Sequence, residues 1–349
     1  MWKYLFRVKR ADDPRCVLNL DLTLQCGQNF RWRRRADGVW TGPVRSRLFS
    51  LRQVRDGVQF RILHDDQPSG VSGLQDLQRY FRMSHDLKEL YARWGRVGDG
   101  AAAAVKSGLD VRECFAEASQ ALPGLRLIDQ DPVECIFSFI CSQNNHISRI
   151  SSMVERLASF GRVLHDDADG MRWHEFPTLE TIADVGEERL RTMGFGYRAK
   201  FIGPAASAIL NSGGENWLKE LRKNRCTRDV LAELRALPGV GQKVASCVAL
   251  FSLNKLECVP VDVHVYNIVK RCCPDEFEES KTLTLKLHEK VQTYFTTNWG
   301  DAAGWAHCVL FAAELPQFKV VERSPKKRKR SSTTKTSTTA VPQKKKMKK

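Results

Sequence analysis

A lysine and an aspartate in one stretch of the sequence could do chemistry together. Lys243 directly follows residues 237–242 (Leu-Pro-Gly-Val-Gly-Gln), and Asp262 stands in residues 259–264 (Val-Pro-Val-Asp-Val-His). An uncharged amine is a nucleophile, and a carboxylate stabilises positive charge that develops beside it. Because each residue lies at the start of a predicted helix, the two side chains could meet in one pocket.

The turn before Lys243 has the composition of a hairpin between two helices. Pro238 fixes φ at its start, and Gly239 and Gly241 permit backbone conformations that a Cβ would obstruct. Glycines also let backbone N–H groups approach an anion at a helix N-terminus. The residues that follow at helical spacing are Lys243, Val244, Cys247, Val248 and Phe251.

Both residues also have simpler interpretations. Most lysines on helices are solvated surface groups, and Asp262 could serve only as a helix N-cap worth about 1 kcal/mol. The cap and a catalytic role are compatible, because capping fixes the carboxylate in place. An amine attacks only when neutral, which burial favours and a neighbouring carboxylate opposes. The sequence leaves that balance open.

The charge of the chain is concentrated at one end. The 349 residues carry a net charge of +16, but residues 323–349 contain 12 Lys or Arg and no Asp or Glu. The other 322 residues carry 44 basic and 40 acidic side chains. The tail therefore suits nuclear import or a nonspecific phosphate tether, with a merely solvated tail as the alternative. Charge alone does not indicate a DNA enzyme.

The cysteines indicate an intracellular protein with reduced, buried thiols. There are 11 of them, no two stand at C-x-x-C spacing, and Cys272 and Cys273 are adjacent. A zinc or iron–sulfur site is therefore not expected, and no secretory signal opens the chain. No apolar run approaches the length of a membrane span, so no membrane partner is expected.

Residues 1–110 are predicted to form a β-rich N-terminal domain. Residues 1–10 mix aromatic and basic side chains, which predicts a first strand or, alternatively, an organelle-targeting signal. Helices are predicted over 74–81 and 87–94. Further strands are predicted from alternation at residues 16–24, 30–33, 39–42, 49–52 and 59–63.

Residues 111–322 are predicted to form a helical body, and residues 323–349 a disordered basic tail. Asp131-Pro132 and an acid three residues after the cap mark one helix start. The predicted helices are 131–144, 146–160, 178–185, 187–193, one opening at 197–200, 217–222, 227–234, 243–251, one after Asp262, 281–298 and 302–315.

With these motifs in order, the chain resembles the helix-hairpin-helix DNA glycosylases, and specifically the eukaryotic 8-oxoguanine DNA glycosylases. The resemblance covers about residues 1–320. It implies an α+β fold, with a twisted antiparallel sheet followed by the helical body, and a monomer. The segments that carry it are 27–32 (Gly-Gln-Asn-Phe-Arg-Trp), 131–142, 194–198 (Gly-Phe-Gly-Tyr-Arg), 237–247, 259–264 and 300–311.

This resemblance implies roles for the two central residues. Lys243 would attack C1′ of the damaged nucleotide, expel the base and form a Schiff base, after which β-elimination cuts the strand 3′ to the lesion. Asp262 would stabilise the cationic sugar. Relatives without the lysine use water and leave an intact abasic site. No cofactor is required, although a cation bound to the hairpin could bridge to phosphate; no side-chain ligand set predicts one.

It also implies a base pocket. Cys247 and Phe311 would lie on opposite faces of an extruded base, and Pro260 and Asp262 would line the pocket. The carbonyl of Gly27 would accept the N7–H that 8-oxoguanine has and guanine lacks. At position 307 the family usually has glutamine, which reads the Watson–Crick edge. Neutral His307 offers one donor and one acceptor, and a histidine satisfied within the core is an equal alternative.

A third set would open the duplex at the lesion. By resemblance, Asn144 fills the gap, Tyr197 wedges into the stack, and Arg149 and Arg198 contact the orphaned cytosine. The same set includes Asn145, with His264 on phosphate beside the backbone of Gly239 and Gly241. Without the resemblance, the pair 144–145 would be interpreted as a helix C-terminus.

Taken together, the sequence predicts a bifunctional DNA glycosylase and AP lyase that removes 8-oxoguanine opposite cytosine in duplex DNA. The alternatives are a monofunctional glycosylase for other damaged bases and a non-catalytic helix-hairpin-helix DNA-binding module. We expect a nuclear protein, with a mitochondrial pool as the alternative.

Overall fold

Five antiparallel strands form the N-terminal sheet of the computed structural model, which describes residues 1–9, 12–66, 72–95, 111–224, 226–274, 276–277 and 282–318. The sheet order is β1-β5-β4-β3-β2. Alternating residues such as Phe49, Leu51 and Phe60 bury one face of the sheet. The strands are β1 (Lys3–Arg7), β2 (Arg33–Arg34), β3 (Trp40–Val44), β4 (Arg47–Val54) and β5 (Gly57–Asp65).

The first strand confirms one of the two interpretations of the N-terminus. Lys3–Arg7 pairs with β5, and Leu5 is buried in the core beneath the sheet. The basic residues Lys3 and Arg7 are exposed. An amphipathic strand therefore accounts for the mixture of aromatic and basic side chains there.

The strand predicted over residues 16–24 is wrong. Leu20–Gln25 is a helix, α1, whose N-cap is Asn19: the side chain of Asn19 accepts a hydrogen bond from the backbone N–H of Leu22 at 3.2 Å. Leu20 and Leu24 are buried one helical turn apart. The alternating leucines also satisfy a helix once the asparagine cap fixes its start.

The strand predicted over residues 30–33 is also mostly wrong. Only Arg33–Arg34 pairs with β3. Trp32 instead packs beneath the sheet, where its indole N–H donates to the Tyr80 hydroxyl at 3.0 Å. A Cβ on Gly42 of β3 would lie 2.4 Å from the Trp32 ring, so this glycine makes room for the indole. Burial of the large ring takes precedence over strand pairing.

The rest of the chain is mainly helical, as predicted, with one additional hairpin of two strands, β6 (Val163–Asp166) and β7 (Arg172–His174). Among the described helices, none combines the length and apolar character that crossing a bilayer requires. The helices are α2 (Gly73–Tyr80), α3 (Leu87–Trp94), α4 (Val111–Ala121), α5 (Pro132–Ser142), α6 (Ile147–Ala158), α7 (Leu179–Asp184), α8 (Glu187–Thr192), α9 (Ala199–Asn211), α10 (Glu215–Lys223), α11 (Thr227–Arg235), α12 (Gln242–Ser252), α13 (Val263–Cys272), α14 (Leu285–Trp299) and α15 (Ala303–Glu314).

A buried arginine ties the N-terminal segment to the loop before α5. The guanidinium of Arg126 donates to the carbonyls of Val17 at 2.6 Å, Arg82 at 2.8 Å and His85 at 3.1 Å. Burial lowers the pKa of Arg126 to about 10, and the group remains charged at neutral pH. These carbonyls take the place of the water that burial removes.

A second buried arginine holds the loop after α1 against the helical body. Arg31 lies 3.3 Å from Glu134 of α5 and 3.5 Å from Glu155 of α6. Burial raises the pKa of Glu134 to about 7, and Arg31 opposes that shift. Arg31 thereby ties the loop after α1 to the first turn of α5 and to the C-terminal half of α6.

Met1–Lys319 forms one compact unit. The predicted boundaries at residues 110 and 322, and the tail 323–349, lie outside the described residues. The division into three parts therefore stays a prediction. Within the compact unit, the sheet has its own core and the helices form a second, larger one.

Candidate active site and DNA interface

Helices α11 and α12 are joined by the predicted hairpin. Gly239 has φ +77°, and a Cβ there would lie 2.6 Å from Phe201, so no other residue fits without displacing that ring. Gly241 is exposed and precedes α12 without a side-chain cap, which leaves the first N–H groups of the helix open to an anion. The geometry suits a grip on a DNA phosphate.

Lys243 is the second residue of α12. Its side chain is half-buried, and its Nζ lies 5.8 Å from the centroid of the Phe139 ring. Phe139 in turn stacks on Phe251, with ring centroids 5.5 Å apart and an interplanar angle of 9°. Aromatic rings therefore form one wall beside the amine and keep part of it from water.

Asp262 caps α13, as predicted. Its Oδ1 accepts hydrogen bonds from the backbone N–H groups of His264 at 3.0 Å and Val265 at 3.1 Å. In the described part of the chain, Lys243 and Asp262 line the same pocket but form no ion pair within 4.0 Å. The carboxylate is held by the helix that it caps and not by the amine.

These two side chains share a pocket of about 50 Å³, which has room for roughly one or two water molecules. All six predicted base-pocket residues line it. An extruded base requires the pocket to widen. The lining residues are Cys26, Gly27, Gln28, Phe139, Lys243, Cys247, Phe251, Pro260, Asp262, His307, Cys308 and Phe311.

Gly27 lies at the edge of this pocket in a conformation that glycine favours, with φ +80°. A Cβ there would lie 3.4 Å from Ile147 at the start of α6. The next residue, Gln28, is buried and donates to the carbonyls of Thr23 and Arg126 at 2.9 and 2.8 Å. The segment is thus rigid enough for its carbonyls to have a fixed direction.

Two buried polar groups lie deeper in the pocket. Burial raises the pKa of the Cys247 thiol to about 11 and lowers the pKa of His307 to about 4, so both groups are neutral at pH 7. The Nε2 atom of His307 is buried and has no hydrogen-bond partner among the described residues. The ring stacks on Phe311 at a centroid distance of 6.0 Å.

The loop between α5 and α6 carries the predicted duplex-opening residues. Asn144 is exposed with φ +44°, and Arg149 is exposed on the first turn of α6. The amide of Asn145 donates to the carbonyl of Cys141 at 3.0 Å, which is the role expected at a helix C-terminus. Tyr197 is 43% exposed and stands above this loop, within reach of the Gln143 carbonyl at 3.2 Å.

Arg198 differs from the other members of that set. Its side chain is buried, and its guanidinium donates to the carbonyls of Gln143 and Asn144 and lies over the Tyr197 ring at 4.6 Å. It supports the loop in this structure. Contact with a base therefore requires the loop to rearrange, and its role in reading cytosine stays a prediction.

Gln143 is a residue between the hairpin and the duplex-opening loop that the sequence did not indicate, as it did not indicate the pocket-lining Cys26, Gln28, Phe139, Phe251 and Cys308. The side-chain Nε2 of Gln143 donates to the Gly239 carbonyl at 2.9 Å. Its backbone carbonyl accepts hydrogen bonds from Tyr197 and Arg198. It therefore connects the hairpin to the duplex-opening loop. These bonds span 54 to 96 residues of sequence, and no local pattern reports them.

The predicted hairpin cation would have to be bound by backbone oxygens. Within the described ranges, no three His, Cys, Asp or Glu side chains come together as metal ligands. His264 is exposed beside Asp262, with its ring 6.0 Å from that of Phe311, and is free to approach a phosphate.

The hairpin before Lys243, and the pocket that Lys243 shares with the helix-capping Asp262, are the arrangement expected of a helix-hairpin-helix DNA glycosylase. The family model for the 8-oxoguanine DNA glycosylase N-terminal domain matches residues 12–136. The model for HhH-GPD superfamily base excision DNA repair proteins matches residues 137–292. The chain belongs to the 8-oxoguanine DNA glycosylase family.

Curated relatives and solved structures agree with this assignment. The chain is 38% identical to N-glycosylase/DNA lyase OGG1 of Arabidopsis thaliana, over 88% of this chain and 80% of the relative. It is 32% identical to the N-glycosylase/DNA lyase of Saccharomyces cerevisiae, over 86% and 83%. A structure of MBOgg1 with a low affinity DNA ligand matches with a TM-score of 0.70 and 27% identity, covering 84% of this chain and 91% of that one.

The fold is also that of the Clostridium acetobutylicum 8-oxoguanine glycosylase/lyase, solved with duplex DNA that contains cytosine opposite 8-oxoguanine. That match has a TM-score of 0.68 and 24% identity, and it covers 84% of this chain and 91% of the bacterial one.

Proposed function

We propose that this protein is a bifunctional repair enzyme that excises 8-oxoguanine opposite cytosine and then cleaves the DNA strand 3′ to the lesion. The observation that carries the proposal is the placement of Lys243 and Asp262 on the walls of one pocket. Membership of the 8-oxoguanine DNA glycosylase family supports the substrate, and the glycosylase/lyase names of the relatives support the second activity.

The reaction begins when the Lys243 amine forms a bond to C1′ of the damaged nucleotide. The bond between C1′ and the base breaks, and the base leaves with the electron pair and takes up a proton. Asp262 does not move in this step, because its cap on α13 fixes it; its charge stabilises the cationic sugar. Opening of the sugar ring then gives a Schiff base on Lys243.

Strand cleavage follows from the same covalent intermediate. The Schiff base withdraws electrons from C1′ and so acidifies the proton on C2′. Loss of that proton expels the 3′ phosphate by β-elimination, and water then releases the lysine from the sugar. A single amine therefore accounts for both activities.

Recognition of damage is proposed to depend on an open form of the pocket. The base would stack between Cys247, which is a neutral thiol, and Phe311, while the Gly27 carbonyl accepts its N7–H. One such hydrogen bond discriminates by only about 1–3 kcal/mol. Widening the pocket from its closed volume adds a second step at which an undamaged base can be rejected.

Borohydride reduction during turnover tests the covalent step. We expect wild-type enzyme and an 8-oxoguanine:cytosine duplex to give a reduced covalent adduct on Lys243, located by peptide mass spectrometry. Lys243→Gln removes the amine, so the adduct should disappear. The matched control is Lys219→Gln, which removes an exposed lysine that pairs with Glu215 and should trap like wild type.

Each rival function predicts a different result. Base release without an adduct, leaving an intact abasic site, would indicate a monofunctional glycosylase. Duplex binding without base release by wild type would indicate a non-catalytic binding module. An adduct that persists in Lys243→Gln would show that another residue is the nucleophile.

A further inference from the structure

Two cysteines far apart in sequence lie next to each other at the end of α13 that is remote from Asp262. Cys114 is on α4 and Cys272 is the last residue of α13, 158 positions later. Their Sγ atoms are 3.4 Å apart, which is a hydrogen-bonding distance for thiols. Across the ranges that the structure describes, no other two cysteine sulfurs form a hydrogen bond.

The surroundings distinguish the two sulfurs. Cys272 is buried, and the hydrogen bond with Cys114, together with burial, raises the pKa of its thiol well above the usual value. Cys114 is half-buried at the edge of the pair. The cation of Arg271 acts on both sulfurs and favours a thiolate. Cys114 is therefore the sulfur of the pair that reagents from solvent reach more easily.

The neighbouring cysteine does not take part in the pair. Cys273 follows Cys272 directly, but its Sγ lies 3.2 Å from the Tyr294 hydroxyl. That contact directs it toward α14 and away from α4. The chain thus supplies a natural control one residue from the reactive pair.

We propose that Cys114 and Cys272 are an oxidisable dithiol that a peroxide converts into a disulfide joining α4 to α13. The Cys114 thiolate attacks one oxygen of hydrogen peroxide, which gives a sulfenic acid and hydroxide. The Cys272 sulfur then attacks the Cys114 sulfur and displaces its hydroxyl group, and the thiol proton leaves with it as water. The balance is two thiols and one peroxide to one disulfide and two waters.

The bond closes a loop of more than 150 residues, so it restricts the unfolded chain and stabilises the folded one. It lies near the C-terminal end of α13, whose ten residues place it about 15 Å from Asp262. We therefore expect the melting temperature to rise by roughly 5 °C. Base excision at 25 °C should stay within about twofold of the reduced enzyme.

The test uses the full-length protein. Reduced protein is treated with hydrogen peroxide, its remaining thiols are alkylated, and a non-reducing digest is examined by mass spectrometry. A peptide pair linked through Cys114 and Cys272, which dithiothreitol separates, is the expected result. An unlinked Cys272 that is still alkylated while Cys114 is over-oxidised would overturn the proposal, as would a link to Cys273.

Two variants give a second, independent reading. Cys114→Ser should lose both the linked peptide and the peroxide-induced rise in melting temperature. Cys273→Ser should keep both. Equal stabilisation of wild type and Cys114→Ser by peroxide would contradict the proposal, even if a linked peptide were found. If either variant folds poorly, the digest of the wild-type protein still shows whether the disulfide forms.

Discussion

His307 is the residue at which this site departs from the family pattern, and its environment is unusual. Its Nε2 is buried and has no hydrogen-bond partner in the described part of the chain, Phe295 meets the ring edge-on at 5.9 Å, and Phe311 stacks on the ring. A histidine satisfied within the core would have a partner for that nitrogen. Since His307 lines the pocket, we propose that this nitrogen forms a hydrogen bond with an incoming base.

The buried histidine predicts a pH dependence of stability. Its pKa is about 4 in the folded state and 6.5 when exposed, so between these values the unfolded chain binds more protons. Wild type should therefore lose up to about 3 kcal/mol of unfolding free energy relative to His307→Gln as the pH falls from 6.5 to 4. Urea unfolding of both proteins across this range measures the difference.

The comparison of wild type with His307→Gln cancels the opposing contribution of Glu134 to the pH dependence of stability. Burial raises the pKa of Glu134 to about 7, so the folded state takes up a proton there as the pH falls, and this stabilises both proteins equally. Parallel stability curves for wild type and His307→Gln would show that His307 is not held neutral by burial.

Single residues were predictable where a local pattern defines them. The cap by Asp262 and the turn at Gly239 follow from residue types at fixed offsets, and both are confirmed. Gln143 could not be predicted, because its partners are distant in sequence. The burial of Arg198 was missed for the same reason. An arginine exposed on the surface and one buried beneath a loop cannot be distinguished from the residue type alone.

At the scale of elements, the hairpin between α11 and α12 combines two glycines with different functions. Gly239 is required by its positive φ and by Phe201, whereas Gly241 has φ −85° and nothing within 4 Å of its Cβ position. Gly239 is therefore needed for the fold, whereas Gly241 leaves space for a binding partner. Substitution by alanine should affect stability at Gly239 and DNA binding at Gly241.

Gly239→Ala should lower the unfolding free energy by at least about 1 kcal/mol, because an L-residue is strained at that φ and displaces Phe201. Gly241→Ala is the matched control and should leave stability within about 0.5 kcal/mol of wild type. It should still weaken binding to duplex DNA, because the added methyl group occupies the surface offered to phosphate. Chemical unfolding and duplex titration separate the two effects.

The start of α13 predicts a similar separation of stability from catalysis. Asp262→Asn keeps a good N-cap, so its stability should match wild type, but it removes the charge that steadies the sugar cation. Asp262→Ala should lose about 1 kcal/mol of stability as well. Single-turnover base release should fall in both variants. Full activity of Asp262→Asn would mean that the residue is only a cap.

Elements were predicted well where a cap marks the start of a helix, as at Asp131 before α5 and Asp262 before α13. The error at α1 came from alternating leucines that suit a strand and a short helix equally; the cap by Asn19 decides between them. Trp32 shows the opposite case, in which a ring that fills the sheet's core prevents the pairing that its neighbours favour. Such outcomes depend on tertiary packing and not on local sequence.

For the molecule as a whole, most of the net charge of +16 comes from residues 323–349, which follow the catalytic unit in the sequence. We propose that residues 323–349 direct the protein to the nucleus, because they hold 12 of the 56 basic residues and no acid. A chain ending at Glu322 should lose nuclear accumulation in cells, measured by fluorescence of a fused reporter. Its excision activity in vitro should remain.

The control for that experiment replaces only the five basic residues at 326–330 with glutamine. If import depends on this cluster, the substituted chain should behave like the truncated one. Unchanged nuclear accumulation of both the truncated and the substituted chain would show that the nuclear-import signal lies elsewhere in the sequence.

The pocket described above has a consequence for biosynthesis. Its walls come from Gly27, near the beginning of the chain, and from Phe311, near the end of the last described helix. A ribosome therefore synthesises Gly27, the hairpin and Lys243 before His307 and Phe311, which complete the wall of the pocket. During translation the growing polypeptide has Lys243 but no complete pocket, so a message truncated before α15 yields a protein without base-excision activity.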